Sequence, residues 1–371
     1  MNEKMRIGIL TLPLHTNYGG ILQAYALQTV LERMGHEVEI INVPFTLPSI
    51  SKVTIVKRII KKILGKYPGY INYEGKFNKW LPIVAQNLQS FKDKYIHMSR
   101  IYDDYSAISS NDYDCIVVGS DQIWRPRMLL SDISNAYLSF AEGWNIKRIA
   151  YSASFGTQNW EYTSLQTEKC KRLLKKFDAI SVREDSGVVN CLKYFGVKAV
   201  HTLDPTLLLT KNDYNELIKD VPPACYHQVF AYILDFNSAK QQMVEGFSAK
   251  NNFEIRTINP EFDNIKCDLN KRIVPSLEEW LTAFRDSDFI ITDSFHACVF
   301  SILYQKPFAV IINNERGSSR FLSFLSMLGL TDRIVNCLND IESLKEIDYK
   351  KVYDKLALYK EMSFSYFDEN L

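Results

Sequence analysis

Residues 289–300 read FIITDSFHACVF. An apolar run ends in Asp293, Ser294 and His296, and a second apolar run of helical character follows at once. A strand that hands over directly to a helix is the repeating unit of parallel α/β proteins. At such a junction the first backbone N–H groups of the helix and its dipole converge on one point, which suits an anion, and a histidine placed there exchanges protons near neutral pH. The segment reads in two ways. It is the centre of an active site for a phosphorylated or carboxylated substrate, or it is a capped helix start in which Asp293 or Ser294 satisfies orphan N–H groups and His296 packs.

The same rhythm extends in both directions. Upstream, strand-like runs at 229–236 and 254–258 alternate with helical patterns at 240–250 and 277–287, and downstream come a helix over 297–304 and a strand over 307–312. An earlier series has strands at 6–12, 37–43, 115–118, 148–152, 179–183 and 199–202, with a helix from the glycine-bearing turn 17–20 to Met34. Each strand ends in small or polar residues, the edge at which open α/β sheets bind ligands. Two series imply two lobes with parallel sheets and a cleft between them: 1–210, then 211–340 carrying the donor site, then a charged helical segment at 341–371. The 371 residues exceed what one hydrophobic core holds.

One stretch breaks the rhythm. Residues 52–66, KVTIVKRIIKKILGK, set Ile55, Val56, Ile59, Ile60, Ile63 and Leu64 on one helical face and Lys57, Arg58, Lys61 and Lys62 on the other, with no acidic residue between. Such a helix either lies on an anionic membrane surface or packs its apolar face on the first lobe. The sequence reading favours packing.

Lys and Arg total 44 against 43 Asp and Glu, for a net charge of +1, which argues against a general nucleic-acid binder. The seven cysteines include no C-x-x-C pair and the histidines lack metal-ligand spacing. The chain runs almost directly into its first strand, without a secretion signal, and has no apolar stretch of membrane-span length. The expectation is a cytoplasmic protein without metal or other cofactor.

Further residues with chemistry stand at strand ends. Asn17, Gly19 and Gly20 form a turn where backbone can approach a ligand, or simply cap a helix. Ser120 and Asp121 form a comparable loop, with the same capping alternative. Arg183 follows a strand directly, where its fork suits a phosphate or carboxylate, or pairs with Glu184 or Asp185. Arg316, Ser318 and Arg320, in NNERGSSRF, make a similar anion cradle ahead of a helix, or an exposed loop of the same composition.

The order of these segments resembles the polysaccharide pyruvyl transferase family. The matching pieces are GILTLPLHTNYGGILQAYALQTVLERMGHEVEIIN, YDCIVVGSDQIW, RIAYSASFG, AISVREDSG, LDPTLLL and FIITDSFHACVFSILYQKPFAVI, spread over about residues 6–330. The resemblance implies two Rossmann-like lobes similar to GT-B glycosyltransferases. It also implies transfer of a pyruvyl group from phosphoenolpyruvate to sugar hydroxyls, as a cyclic ketal, on cell-surface polysaccharide precursors that are often lipid-linked. That acceptor would be met at the inner face of the membrane, where residues 52–66 offer a peripheral contact.

In that reading His296 is the general acid, with Asp293 beside it. Arg183, Ser294, Ser318 and Arg316 or Arg320 hold the donor, and Asn17, Gly19, Gly20, Ser120 and Asp121 face the acceptor. Two positions depart from the family: Ser294 stands where many members carry arginine, and Gly20 where many carry an acid. Arg316 or Arg320 then supplies the missing charge, and Asp293 or Asp121 the missing acid. Alternative readings are a GT-B-like glycosyltransferase using a nucleotide sugar and a non-catalytic carbohydrate-binding relative.

Overall fold

The central strands are buried at every position because both faces are covered. CIVV at Cys115–Val118 and QVFAY at Gln228–Tyr232 are buried throughout, the pattern of parallel strands roofed by helices on both sides. In the computed structural model, which describes residues 3–67, 69–224, 227–261, 264, 267–312 and 317–371, these strands belong to two separate sheets.

The first sheet contains β1 (Arg6–Leu10), β2 (Glu37–Asn42), β3 (Met98–Ile101), β4 (Cys115–Val118), β5 (Lys147–Ala153), β6 (Ala179–Val182) and β7 (Val200–His201), in the order β3-β2-β1-β4-β5-β6-β7. The second contains β8 (Gln228–Tyr232), β9 (Glu254–Thr257), β10 (Phe289–Thr292) and β11 (Phe308–Val310), in the order β11-β10-β8-β9. Every pairing is parallel, for example Ile9 with Val117 and Ile290 with Phe230. All carboxyl ends of a sheet therefore lie along one edge. Strand β3 has no counterpart in the sequence reading.

The lobes share a core. Helix α1 (Tyr18–Arg33) leaves the turn after β1, and its Tyr18 stacks on Trp280 of the second lobe with ring centroids 5.5 Å apart while donating a hydrogen bond to the Pro275 carbonyl at 2.8 Å. The terminal helix Tyr349–Asn370 straddles both lobes. Near its start the Tyr353 hydroxyl donates to the Leu303 carbonyl at 3.1 Å; near its end the Tyr366 hydroxyl donates to Ala150 at 2.9 Å and Phe367 stacks on Tyr151 at 4.3 Å.

The amphipathic stretch is a helix, α2 (Lys52–Ile63), whose Ser51 hydroxyl accepts the Thr54 N–H at 3.2 Å. It does not pack as expected, for none of its residues is buried. The reason is Arg58, which makes a two-pronged salt bridge with Glu74 of α3 (Tyr73–Val84) at 2.7 and 2.8 Å and donates to the Ile71 carbonyl at 3.0 Å. The helix is held by its polar side, and the apolar face turns away from the lobe.

Candidate active site

Residues 289–300 fold as a strand, a two-residue turn and a helix, but the helix begins two residues earlier than expected, at Phe295. Ser294 is its cap, with its hydroxyl facing the Ala297 N–H at 3.5 Å, so His296 lies inside the first turn. The Phe295–Leu303 helix is buried along its whole length, and its start is pressed against the carboxyl edge of the first sheet. His296 meets that edge at two points. A Cβ added to Gly19, in the first turn of α1, would collide with the imidazole, so only glycine lets the two helices approach this closely. On its other side, Nε2 of His296 stands 3.5 Å from Oδ2 of Asp204, which follows β7. That is ion-pairing range and long for a hydrogen bond.

Asp204 is the hub. Its Oδ2 accepts from Nη1 of Arg183 at 2.6 Å and from the Ser120 hydroxyl at 3.1 Å, and its Oδ1 accepts from the Thr206 hydroxyl at 2.7 Å and backbone N–H at 3.1 Å. Burial alone would raise the pKa of this carboxyl, but His296 and Arg183 outweigh it and hold it far below the ordinary carboxylate range. Asp121 is the second acceptor for Arg183, at 3.3 Å, and takes the Asn17 side-chain amide at 3.3 Å. It sits in the left-handed region (φ 66°), a conformation that Asp adopts more readily than most residues. Burial pushes its pKa up, and Arg183, His296 and Arg320 more than reverse that. Phe295 lies between two guanidinium groups, Arg183 at 4.6 Å and Arg320 at 5.5 Å from its ring centroid.

His296, Asp121 and Phe295 border an inter-lobe cleft of about 410 Å³, lined also by Asn17, Gly19, Asp293, Ser294 and Arg320 among the residues expected from sequence. The others stand apart from it. Ser120 is behind the cleft, bonded to Asp204. Gly20 faces the Asn17 side chain. Ser318 starts the Ser318–Leu328 helix without lining the cleft, and Arg316 lies outside the described residues.

Two of the expected residues are engaged within the protein. Arg183, read as the clamp for the donor's charges, is 1% exposed at its side chain and spends its fork on Asp204 and Asp121; neither Glu184 nor Asp185 is its partner. Glu184 instead binds the loop after β5, accepting from the Ser154 hydroxyl at 3.0 Å and the Phe155 N–H at 2.8 Å. Asp293, read as a companion acid, accepts the Leu234 and Asp235 N–H groups at 2.6 and 3.2 Å and pairs with Lys240 at 2.7 Å. It fastens the loop after β8 and has little capacity left for substrate.

Arg320 is one of the arginines at the cleft. Burial, reinforced by the Arg183 charge, pushes Arg320 down to about 10 despite Asp121, which stands 4.0 Å from its Nη1. Arg125, unremarked in the sequence, also lines the cleft, with its guanidinium clamped on Glu161 at 2.9 and 3.0 Å. Asp204 was likewise missed as a site residue, although an Asp-Pro step at a strand end marked its place.

A family model described as polysaccharide pyruvyl transferase matches residues 17–315. No curated protein sequence matches the chain. Among solved structures, a protein described as a UDP-N-acetylglucosamine 2-epimerase from Listeria monocytogenes aligns with 96% of this chain and 91% of its own, at 10% identity and a TM-score of 0.52. Arabidopsis thaliana UGT89C1 complexed with UDP-L-rhamnose aligns with 99% of this chain and 98% of its own, at 10% identity and a TM-score of 0.51. At such identity the likeness is one of fold: two Rossmann-like lobes with parallel sheets, similar to GT-B glycosyltransferases.

Proposed function

Because the chain belongs to the polysaccharide pyruvyl transferase family, we propose that it moves a pyruvyl group from phosphoenolpyruvate to two hydroxyls of a saccharide, forming a cyclic ketal in cell-surface polysaccharide biosynthesis. The observation that carries this reading is His296, backed at 3.5 Å by Asp204 in a cleft that Arg320 also lines. A histidine oriented by a buried carboxylate is a proton shuttle, and a cationic wall beside it suits a donor with one phosphate and one carboxylate.

In this mechanism His296 gives its proton to the methylene carbon of the donor. The adjacent carbon gains oxocarbenium character, and the first sugar hydroxyl adds there, passing its proton to the imidazole. The bond to the phosphate oxygen then breaks, inorganic phosphate leaves, and the second hydroxyl closes the ring with loss of its own proton. Arg320 and the N–H groups at the start of the Phe295–Leu303 helix stabilise the donor's negative charge. Arg183 is a positioning residue, acting on His296 through Asp204.

Calorimetric titration with phosphoenolpyruvate tests the reading, using wild type, Arg320→Ala and His296→Gln, with a UDP-sugar as comparison. Wild type should bind phosphoenolpyruvate, Arg320→Ala at least about tenfold more weakly. His296→Gln should keep donor affinity and lose roughly 10²–10⁴ in turnover. Binding of the UDP-sugar alone would instead identify a glycosyltransferase, and binding of neither a protein without donor chemistry.

A further inference from the structure

Helix α2 presents an apolar surface that the fold leaves uncovered. Val53, Val56, Ile60 and Ile63 are more than half exposed, Ile63 at 80%. At about 100° per residue, the apolar positions from Ile55 round to Leu64 occupy roughly half the helix circumference. Lys57 and Lys61 flank one edge of that arc, and Lys62 the other. The orientation is fixed, since the Arg58–Glu74 salt bridge and the bond from Arg58 to the Ile71 carbonyl hold the opposite side of the helix to the body.

We infer that this face docks the protein on an anionic lipid bilayer, α2 lying in the plane of the interface. The apolar arc would enter the boundary between headgroups and acyl chains, and the flanking lysines would extend their stems along it to reach lipid phosphates. Charge complementarity selects the bilayer over a second copy of the chain. With no acidic residue in 52–66, two such faces would bring like-charged edges together, whereas anionic headgroups neutralise them. The whole chain carries a net charge of only +1, so the basic character is local to this helix. No described helix is long and apolar enough to cross a membrane, so the contact is peripheral. The inference is independent of the donor and of the chemistry in the cleft.

Cosedimentation of the full chain tests it, with vesicles of phosphatidylcholine alone and of equal parts phosphatidylcholine and phosphatidylglycerol. Wild type should pellet with the anionic vesicles, less so in high salt, and stay in solution with the neutral ones. Lys57→Gln/Lys61→Gln/Lys62→Gln should bind roughly a hundredfold more weakly, taking about 1 kcal/mol per basic residue and about tenfold per 1.4 kcal/mol. Ile60→Ser/Ile63→Ser should also lose binding while keeping the wild-type circular dichroism. Wild type that ignores anionic vesicles, or variants that bind as it does, would overturn the proposal. A dimer in sedimentation velocity that Ile60→Ser/Ile63→Ser dissolves would assign the face to a second copy instead.

Discussion

Replacing Arg183 with methionine should cost stability before it costs donor affinity. Its guanidinium lies 2.6 Å from Asp204, with side-chain exposures of 1% and 0%, so neither charge has water to fall back on. At an effective dielectric near 20, two charges about 4 Å apart interact by about 4 kcal/mol, and removing one member of a buried pair typically costs about 3–5 kcal/mol. Asp204→Asn should cost a similar amount, since it leaves Arg183 with Asp121 alone. In Arg183→Met/Asp204→Asn both members of the closest pair are neutral, and the double variant should lose about 2–3 kcal/mol less than the sum of the singles. Urea unfolding followed by tryptophan fluorescence measures the cycle, and each single variant should melt roughly 6–20 °C lower, at about 2–4 °C per kcal/mol for lobes of this size. Additivity within about 0.5 kcal/mol would refute the coupling. Unchanged stability with collapsed phosphoenolpyruvate affinity would return Arg183 to the donor site.

Other expectations follow from single contacts. Gly19→Ala drives a Cβ into the His296 ring and should cut turnover about 10²-fold by displacing the imidazole, with near-native circular dichroism; unimpaired turnover would separate His296 from the chemistry. Gly317, with φ 101° and its missing Cβ pointed at the Gly156 carbonyl, should lose about 1–3 kcal/mol as alanine, and a variant as stable as wild type would contradict the close approach of these loops. Burial, with the Lys92 charge behind it, pushes His15 down to about 4, against about 6.5 in an unfolded chain. Above about pH 6.5 both states are neutral at this residue; below it the unfolded chain takes the proton first, so stability drains away as pH falls toward 4. Wild type should therefore lose about 1 kcal/mol near pH ~5.5 that His15→Gln retains, and parallel melting profiles would count against the shift.

The strands of both lobes were legible because continuous runs such as CIVV and QVFAY leave little choice for a chain that must bury both faces. Strand β3, MSRI, was not: it is an edge strand with Ile101 69% exposed, and it lacks the apolar density of its neighbours. The histidine at the junction was readable from local order alone. Its carboxylate was not, because the partners of Arg183 lie 21 and 62 residues away while Glu184 and Asp185 adjoin it in sequence. Proximity along the chain suggested the wrong pair, and strand order decided the right one. Helix α2 shows the same division: its two faces are plain in the sequence, but which of them meets the lobe depended on one salt bridge from Arg58 to the next helix.

His296 arrives on the second lobe and Asp204 at the edge of the first, so the pair is brought together by the core the two lobes share. On the proposed function, turnover then depends on interlobe packing such as Tyr18 on Trp280 as much as on the groups that line the cleft. The Gly19 contact with His296 is the tightest tolerance of that seam.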